Sequence, residues 1–116
     1  MQELIKASKA LSDETRLRIL SILLESECCV CEVMQALEIS QSRASRNLGI
    51  LEDAGFLTAR RDGSWVLYSL KERSGNSLAA SLTGLLREFF ASDEVLASDR
   101  ERLQHAVRIR PGCGKA

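Results

Sequence analysis

Residues 31–55 decide the fold: Cys31-Glu32-Val33-Met34-Gln35-Ala36-Leu37-Glu38-Ile39-Ser40-Gln41-Ser42-Arg43-Ala44-Ser45-Arg46-Asn47-Leu48-Gly49-Ile50-Leu51-Glu52-Asp53-Ala54-Gly55. Val33, Met34 and Leu37 have helical spacing and predict a helix over about 31–38, after which Ile39-Ser40 breaks the pattern and offers a new cap. A second helix follows from Gln41 to Ala54, and Gly55 supplies the left-handed stop. Two short helices separated by two or three residues make a helix-turn-helix. Turned at about 100° per residue, the second helix places Ala44, Asn47, Leu48, Leu51 and Ala54 on one face and Ser42, Ser45, Arg46, Gly49 and Asp53 on the other. The outward face is short and polar near its N-terminal half, where a helix in a major groove brings side chains to base edges. Arg46 suits guanine or phosphate, Ser42 and Ser45 suit phosphate first, Gln41 suits adenine or a backbone oxygen, and Arg43 joins them as a DNA-binding candidate. Gly49 lets the helix approach closely.

Downstream, Phe56–Arg61 and Trp65–Leu70 flank Asp62-Gly63-Ser64, which reads as a β-hairpin turned on Asp-Gly. A hairpin after a helix-turn-helix is a wing, and Arg60 and Arg61 stand where it would meet the DNA backbone or minor groove. Upstream, Ser12-Asp13-Glu14 caps a helix over about 13–25, and Leu4, Ile5, Ala7, Ser8 and Leu11 form a short amphipathic helix ending before Ser12. From Asn76 to about Phe90, Leu78, Leu82, Leu85, Leu86 and Phe89 make a broad apolar stripe. A core this small cannot hide that stripe, so Leu4, Leu78, Leu82, Leu85 and Phe89 are the expected contacts of a homodimer. A polar segment from Asp93 to about Val107 is a further helix candidate, and Arg110-Pro111-Gly112-Cys113-Gly114 reads as a tail. The expected architecture is mainly α with one small β-hairpin: a homodimeric winged helix-turn-helix over residues 1–92, with a C-terminal helical extension and tail over 93–116.

At 116 residues, 45% apolar and 28% charged, the chain has room for one modest core. It has no long apolar run, and Met1–Lys6 lacks the pattern of a signal peptide, so a cytoplasmic protein without membrane contact is expected. Sixteen basic residues cancel sixteen acidic ones, yet the balance is uneven: residues 41–75 carry six Lys/Arg against four Asp/Glu, whereas residues 1–40 carry four against seven. The helix-turn-helix and wing thus coincide with the most basic stretch, and double-stranded DNA is the expected partner. No catalytic triad pattern and no Gly-rich phosphate loop occurs, so neither an enzyme nor an organic cofactor is expected.

Three of the four cysteines fall within Cys28-Cys29-Val30-Cys31. In a reducing compartment such clustering points to soft-metal ligation or to thiol redox sensing, for which Cys28, Cys29 and Cys113 are the oxidisable candidates. His105, with Asp93 and Asp99, is a weaker metal candidate. A protein-interaction adaptor on the same scaffold is the alternative from another class.

Leu11–Leu20, Ser40–Leu48 and Gly63–Tyr68 resemble the ArsR/SmtB metal-sensing repressors, over roughly residues 3–92. The resemblance implies a winged-helix homodimer that binds operator DNA when metal-free and leaves it on binding metal. Asn47 stands where the family commonly has His. Glu27-Cys28-Cys29-Val30-Cys31-Glu32-Val33 is similar to the Leu-Cys-Val-Cys-Asp-Leu signature of the arsenic-sensing branch, which implies Cys29 and Cys31 as ligands of As(III), or Sb(III), as inducer of arsenical resistance genes. Met34 replaces the third cysteine common in that branch, leaving Cys28 or Cys113 to complete a three-sulfur site. Within a regular helix Cys29 and Cys31 would diverge by about 200° and Cys28 and Cys31 by about 60°. A Cys29–Cys31 pair therefore requires a turn that lies before the helix or unwinds.

Overall fold

The computed structural model describes residues 1–71 and 77–108, six helices and one hairpin among them. Helix α1 (Gln2–Leu11) ends at Ser12, and α2 (Glu14–Leu23) begins at Asp13, whose side chain accepts from the Arg16 N–H at 3.1 Å. Ile19, Leu20 and Ile22 are wholly buried, so α2 is the central helix on which the others pack.

The helix-turn-helix consists of α3 (Val30–Leu37) and α4 (Gln41–Asp53). Glu38 closes α3 in a left-handed conformation (φ 59°), and Ser40 opens α4 by accepting from the Arg43 N–H. The sharpness of the turn thus falls on a glutamate, at a cost that a glycine would avoid. Ala44, Asn47, Leu48 and Leu51 face inward as the helical wheel requires, and Gly55 stops the helix with φ 91°.

Strands β1 (Leu57–Asp62) and β2 (Trp65–Leu70) pair antiparallel from Leu57↔Leu70 to Asp62↔Trp65. The two-residue turn is Gly63-Ser64, with Gly63 at φ 64°, so Asp62 closes the ladder instead of sharing the turn. The wing is tied inward at a second point, because the loop between α2 and α3 adds a β-bridge: Cys28 N donates to Tyr68 O (3.0 Å) and Tyr68 N to Cys28 O (2.8 Å).

Helix α5 (Leu78–Ala91), capped by Ser77, packs against α1 and α2. The polar segment beyond it is a helix, α6 (Glu94–Gln104), capped by Asp93 and packed on α2 and α3, with Leu96 in the core. At its centre Asp99 is fully buried, gripped by Arg18 through Nε and Nη2 and by Arg102 through Nη2, each at 2.8 Å. Those guanidiniums also donate to the Leu37 and Ala36 carbonyls, closing the C-terminal end of α3.

Candidate functional site

Cys28, Cys29 and Cys31 are all buried. The sequence places Glu27 and Glu32 as flanking groups that want water. Instead Arg60 pairs with Glu27 at 2.6 Å and Arg108 with Glu32 at 3.1 Å, which allows the cysteine stretch to be covered. Helical spacing does not govern the cysteines, because Cys28 lies in the loop and Cys29 is the extended N-cap of α3 (φ −86°, ψ 170°). Cys29 and Cys31 share a small apolar cluster with Leu67, against which Trp65 packs. Cys28 belongs to the main core, and its thiol donates to the Ser26 carbonyl at 3.5 Å.

Burial, with a contribution from the Glu32 charge, pushes the Cys28 thiol up to about 12. Burial also raises Cys29, although the backbone N–H groups of Glu32 and Cys31 face its sulfur and pull the other way. A helix N-terminus favours thiolate, but here desolvation outweighs it. The Arg108 charge lies close enough to act on Cys28 and Cys29.

Glu32 links the turn to the C-terminal segment, its Oε1 accepting both the Cys29 N–H (2.9 Å) and Arg108 Nε (3.1 Å). Gln35, one turn beyond Cys31, donates from Nε2 to the Val107 carbonyl (2.6 Å) and to Cys31, where the N–H is shared between the carbonyl (3.1 Å) and the sulfur (3.4 Å), while its Oε1 accepts the Val107 N–H (3.1 Å). The Cys31 thiol itself donates to the Val107 carbonyl at 3.7 Å. Sequence reasoning missed both partners. The spacing of four between Cys31 and Gln35 was a usable signal, whereas nothing local foretells Arg108.

Among the described residues no group of three or more Cys, His, Asp and Glu side chains is assembled to hold an ion. Asp93 caps α6, Asp99 is bound by arginines and His105 is exposed beside Glu101, so these three do not converge. Cys113 lies outside the described residues. The thiol cluster therefore presents two buried sulfurs against Leu67 and Trp65, edged by the Glu27–Arg60 and Glu32–Arg108 pairs, a donor set suited to a thiophilic ion and poor for a hard one.

On α4, Gln41, Ser42, Arg43 and Arg46 are exposed, while Ser45 is half-buried with its Oγ enclosed and without a hydrogen-bond partner. Arg43 turns back to donate to Thr15 Oγ1 at 2.8 Å. Asn47 accepts from Arg16 Nη1 (3.0 Å) and donates to the Arg43 carbonyl, so its amide joins α4 to the head of α2. On the wing Arg60 and Arg61 are exposed, and Glu27 grips Arg60 through both carboxylate oxygens.

The pattern described as "Bacterial regulatory protein, arsR family" matches residues 13–59. An arsenic resistance transcriptional regulator of Pseudomonas putida is 44% identical over 96 residues, covering 82% of this chain and 73% of that protein. An arsenical resistance operon repressor of Escherichia coli is 46% identical over 105 residues, 90% of this chain and 81% of the relative. This chain belongs to the ArsR family. The fold agrees: a homodimeric winged helix-turn-helix DNA-binding domain from Mycobacterium bovis superposes with a TM-score of 0.65 at 26% identity, over 94% of this chain and 89% of that one.

The matched ArsR segment holds α2, the cysteine turn and the helix-turn-helix, but stops within β1. Leu67, Trp65 and Arg108, which surround the cysteines, lie beyond it. The apolar side chains expected at a dimer contact are open to different degrees in the protomer: Leu4 is 47% exposed, Leu85 63% and Phe89 70%, while Leu78 and Leu82 are half-buried. No helix among the described residues is long and apolar enough to cross a membrane.

Proposed function

We propose that this ArsR-family chain is a cytoplasmic, homodimeric, non-enzymatic repressor that binds operator DNA and releases it when Cys29 and Cys31 bind trivalent arsenic, or antimony, derepressing arsenical resistance genes. The observation that carries the reading is the position of the two thiols: Cys29 caps the first helix of the helix-turn-helix, Cys31 lies in its first turn, and both pack on wing residues. One pair of side chains thus touches both the wing and the helix on which the recognition helix α4 packs. Names of relatives as arsenical resistance regulators support the same inducer class. Arsenious acid supplies a soft centre that exchanges hydroxide for thiolate, one water leaving for each As–S bond, with no change of oxidation state.

The chain's own residues supply the rest. The N–H groups at the head of α3 face the Cys29 sulfur, and Leu67 and Trp65 exclude water from the pair. A third sulfur would come from Cys28 or Cys113. The seat of Cys28 in the main core favours Cys113, which follows Arg108 by five residues, about 17 Å of extended chain. Gln41, Ser42, Arg43, Arg46, Arg60 and Arg61 form the DNA-binding face, with Arg46 and the wing arginines its main cations, whereas Ser45, its Oγ enclosed, stands behind it. Arsenite titrated into the protein–operator complex under strong reductant should lower operator affinity about 5- to 150-fold, on the order of 1–3 kcal/mol of coupling. Complete retention of the complex at saturating arsenite would overturn the reading.

A further inference from the structure

We propose that Gln35 and Arg108 are positioning residues of the thiol pair, through which the segment after α6 becomes a built part of the sensor; this rests on the arsenite reading above. Two features carry it. The Gln35 amide reads the Val107 peptide on both sides, donating to its carbonyl and accepting its N–H, as a neighbouring β-strand would, and the same Nε2 donates to the Cys31 sulfur. Separately, the Glu32 oxygen that holds the Cys29 N–H also takes Arg108, so the capping contact that shapes the Cys29 turn is tied to the same segment.

The segment has a rigid base. Residues 106–108 follow directly from α6, which is pinned by the buried Asp99 to Arg18 of α2 and by Arg102 to the end of α3. Position is therefore passed from a fixed helix to both sulfurs, to Cys31 through Gln35 and to Cys29 through Glu32. Loss of Gln35 leaves the Cys31 sulfur without its only N–H donor from a side chain among the described contacts. Loss of Arg108 leaves Glu32 to hold the turn alone. Among the described contacts Gln35 hydrogen-bonds Cys31 and Val107 and Arg108 pairs with Glu32, not with α4 or the wing, so neither should bear on DNA directly.

The test uses the full-length protein and its operator duplex. Trp65, the only tryptophan, packs against the thiol cluster and reports arsenite binding by fluorescence without DNA. Wild type, Gln35→Ala, Gln35→Glu, Arg108→Ala and Arg108→Lys are compared in three measurements: arsenite titration, metal-free operator affinity, and amide exchange of residues 29–32. Gln35→Ala and Arg108→Ala should raise the arsenite midpoint several-fold and speed exchange in the turn, while metal-free operator affinity stays within twofold. Gln35→Glu keeps the acceptor for Val107 but lacks the donor to sulfur, and should resemble Gln35→Ala. Arg108→Lys retains a cation for Glu32 and should recover most of the wild-type midpoint.

Variants that titrate within twofold of a responsive wild type would overturn the positioning role and leave the arsenite reading intact. A wild type that does not respond at all would remove both. If Gln35→Ala and Arg108→Ala lost operator affinity and thermal stability in step with arsenite affinity, the residues would be ordinary fold contacts, and that too overturns the proposal.

Discussion

The two thiols that share a cluster and the one that does not should behave differently when removed. Cys29→Ser and Cys31→Ser each delete a soft ligand while keeping a small polar group at the head of α3, so both should bind operator normally and fail to release it at arsenite concentrations that free the wild type. Fluorescence anisotropy of labelled operator reads both properties. Cys28→Ala should keep release nearly intact, since its sulfur points to the Ser26 carbonyl and the main core. Its signature lies in alkaline stability instead. An unfolded Cys28 loses its proton near 9, whereas the folded one holds it to about 12. The unfolded state therefore binds fewer protons across that window, and stability falls as pH rises from about 9 to about 12 while being unaffected below it. The Cys28 contribution approaches 1.4 kcal/mol per pH unit. Denaturant melts between pH 8 and 11 should show a shallower alkaline decline in Cys28→Ala than in wild type. Equal slopes would mean the thiol is not desolvated as the fold implies.

Among the elements, the wing and the cysteine loop are coupled more closely than the chain order suggests. The Cys28–Tyr68 bridge makes the loop a partial third strand, and the Glu27 carboxylate holds Arg60, the residue that a wing would offer to phosphate. Glu27 thus competes with DNA for Arg60. Glu27→Gln should tighten operator binding a few-fold and steepen its salt dependence, by about one unit in the log–log slope, as a freed cation adds a phosphate contact. No change in that slope would place Arg60 outside the interface. Arg46→Ala should act oppositely and cost about 1–3 kcal/mol of operator binding, leaving the arsenite response of Trp65 near wild type. Much of this architecture was legible because local signals agreed: Asp13 and Ser40 cap, Gly55 stops α4, and the inward face of α4 follows its apolar period. The site was less so. Periodicity is defined within an element, and Cys28 and Cys29 precede theirs. The partners that bury them, Leu67, Arg60 and Arg108, come from residues remote in sequence, and no spacing rule reaches them.

For the whole molecule, sensing and DNA binding should separate by oligomeric state. Cys29, Cys31, Leu67, Trp65, Gln35 and Val107 all come from one protomer, so an isolated subunit already contains the thiol cluster and its supports. DNA binding is different in kind, because two recognition helices must reach half-sites a helical turn apart, about 34 Å, and only a dimer can span them. The exposed apolar side chains that would join two copies are Leu4 on α1 and Leu85 and Phe89 on α5, two helices in contact within the protomer. Twofold symmetry repeats every contact, so Phe89→Asp removes two aromatic side chains, at about 1.5–3 kcal/mol each, and places two carboxylates in an apolar seam. The dimer should weaken at least a hundredfold, since each 1.4 kcal/mol is tenfold. Phe89 is 70% exposed in the subunit, so the fold itself should lose little. Light scattering at micromolar concentration should then report a monomer, and anisotropy should show operator affinity falling toward that of nonspecific DNA. Arsenite should still shift Trp65 fluorescence with a midpoint close to wild type. A monomer that no longer responds to arsenite would show that the partner subunit completes the thiol site, and a Phe89→Asp protein that stays dimeric would move the interface off α5.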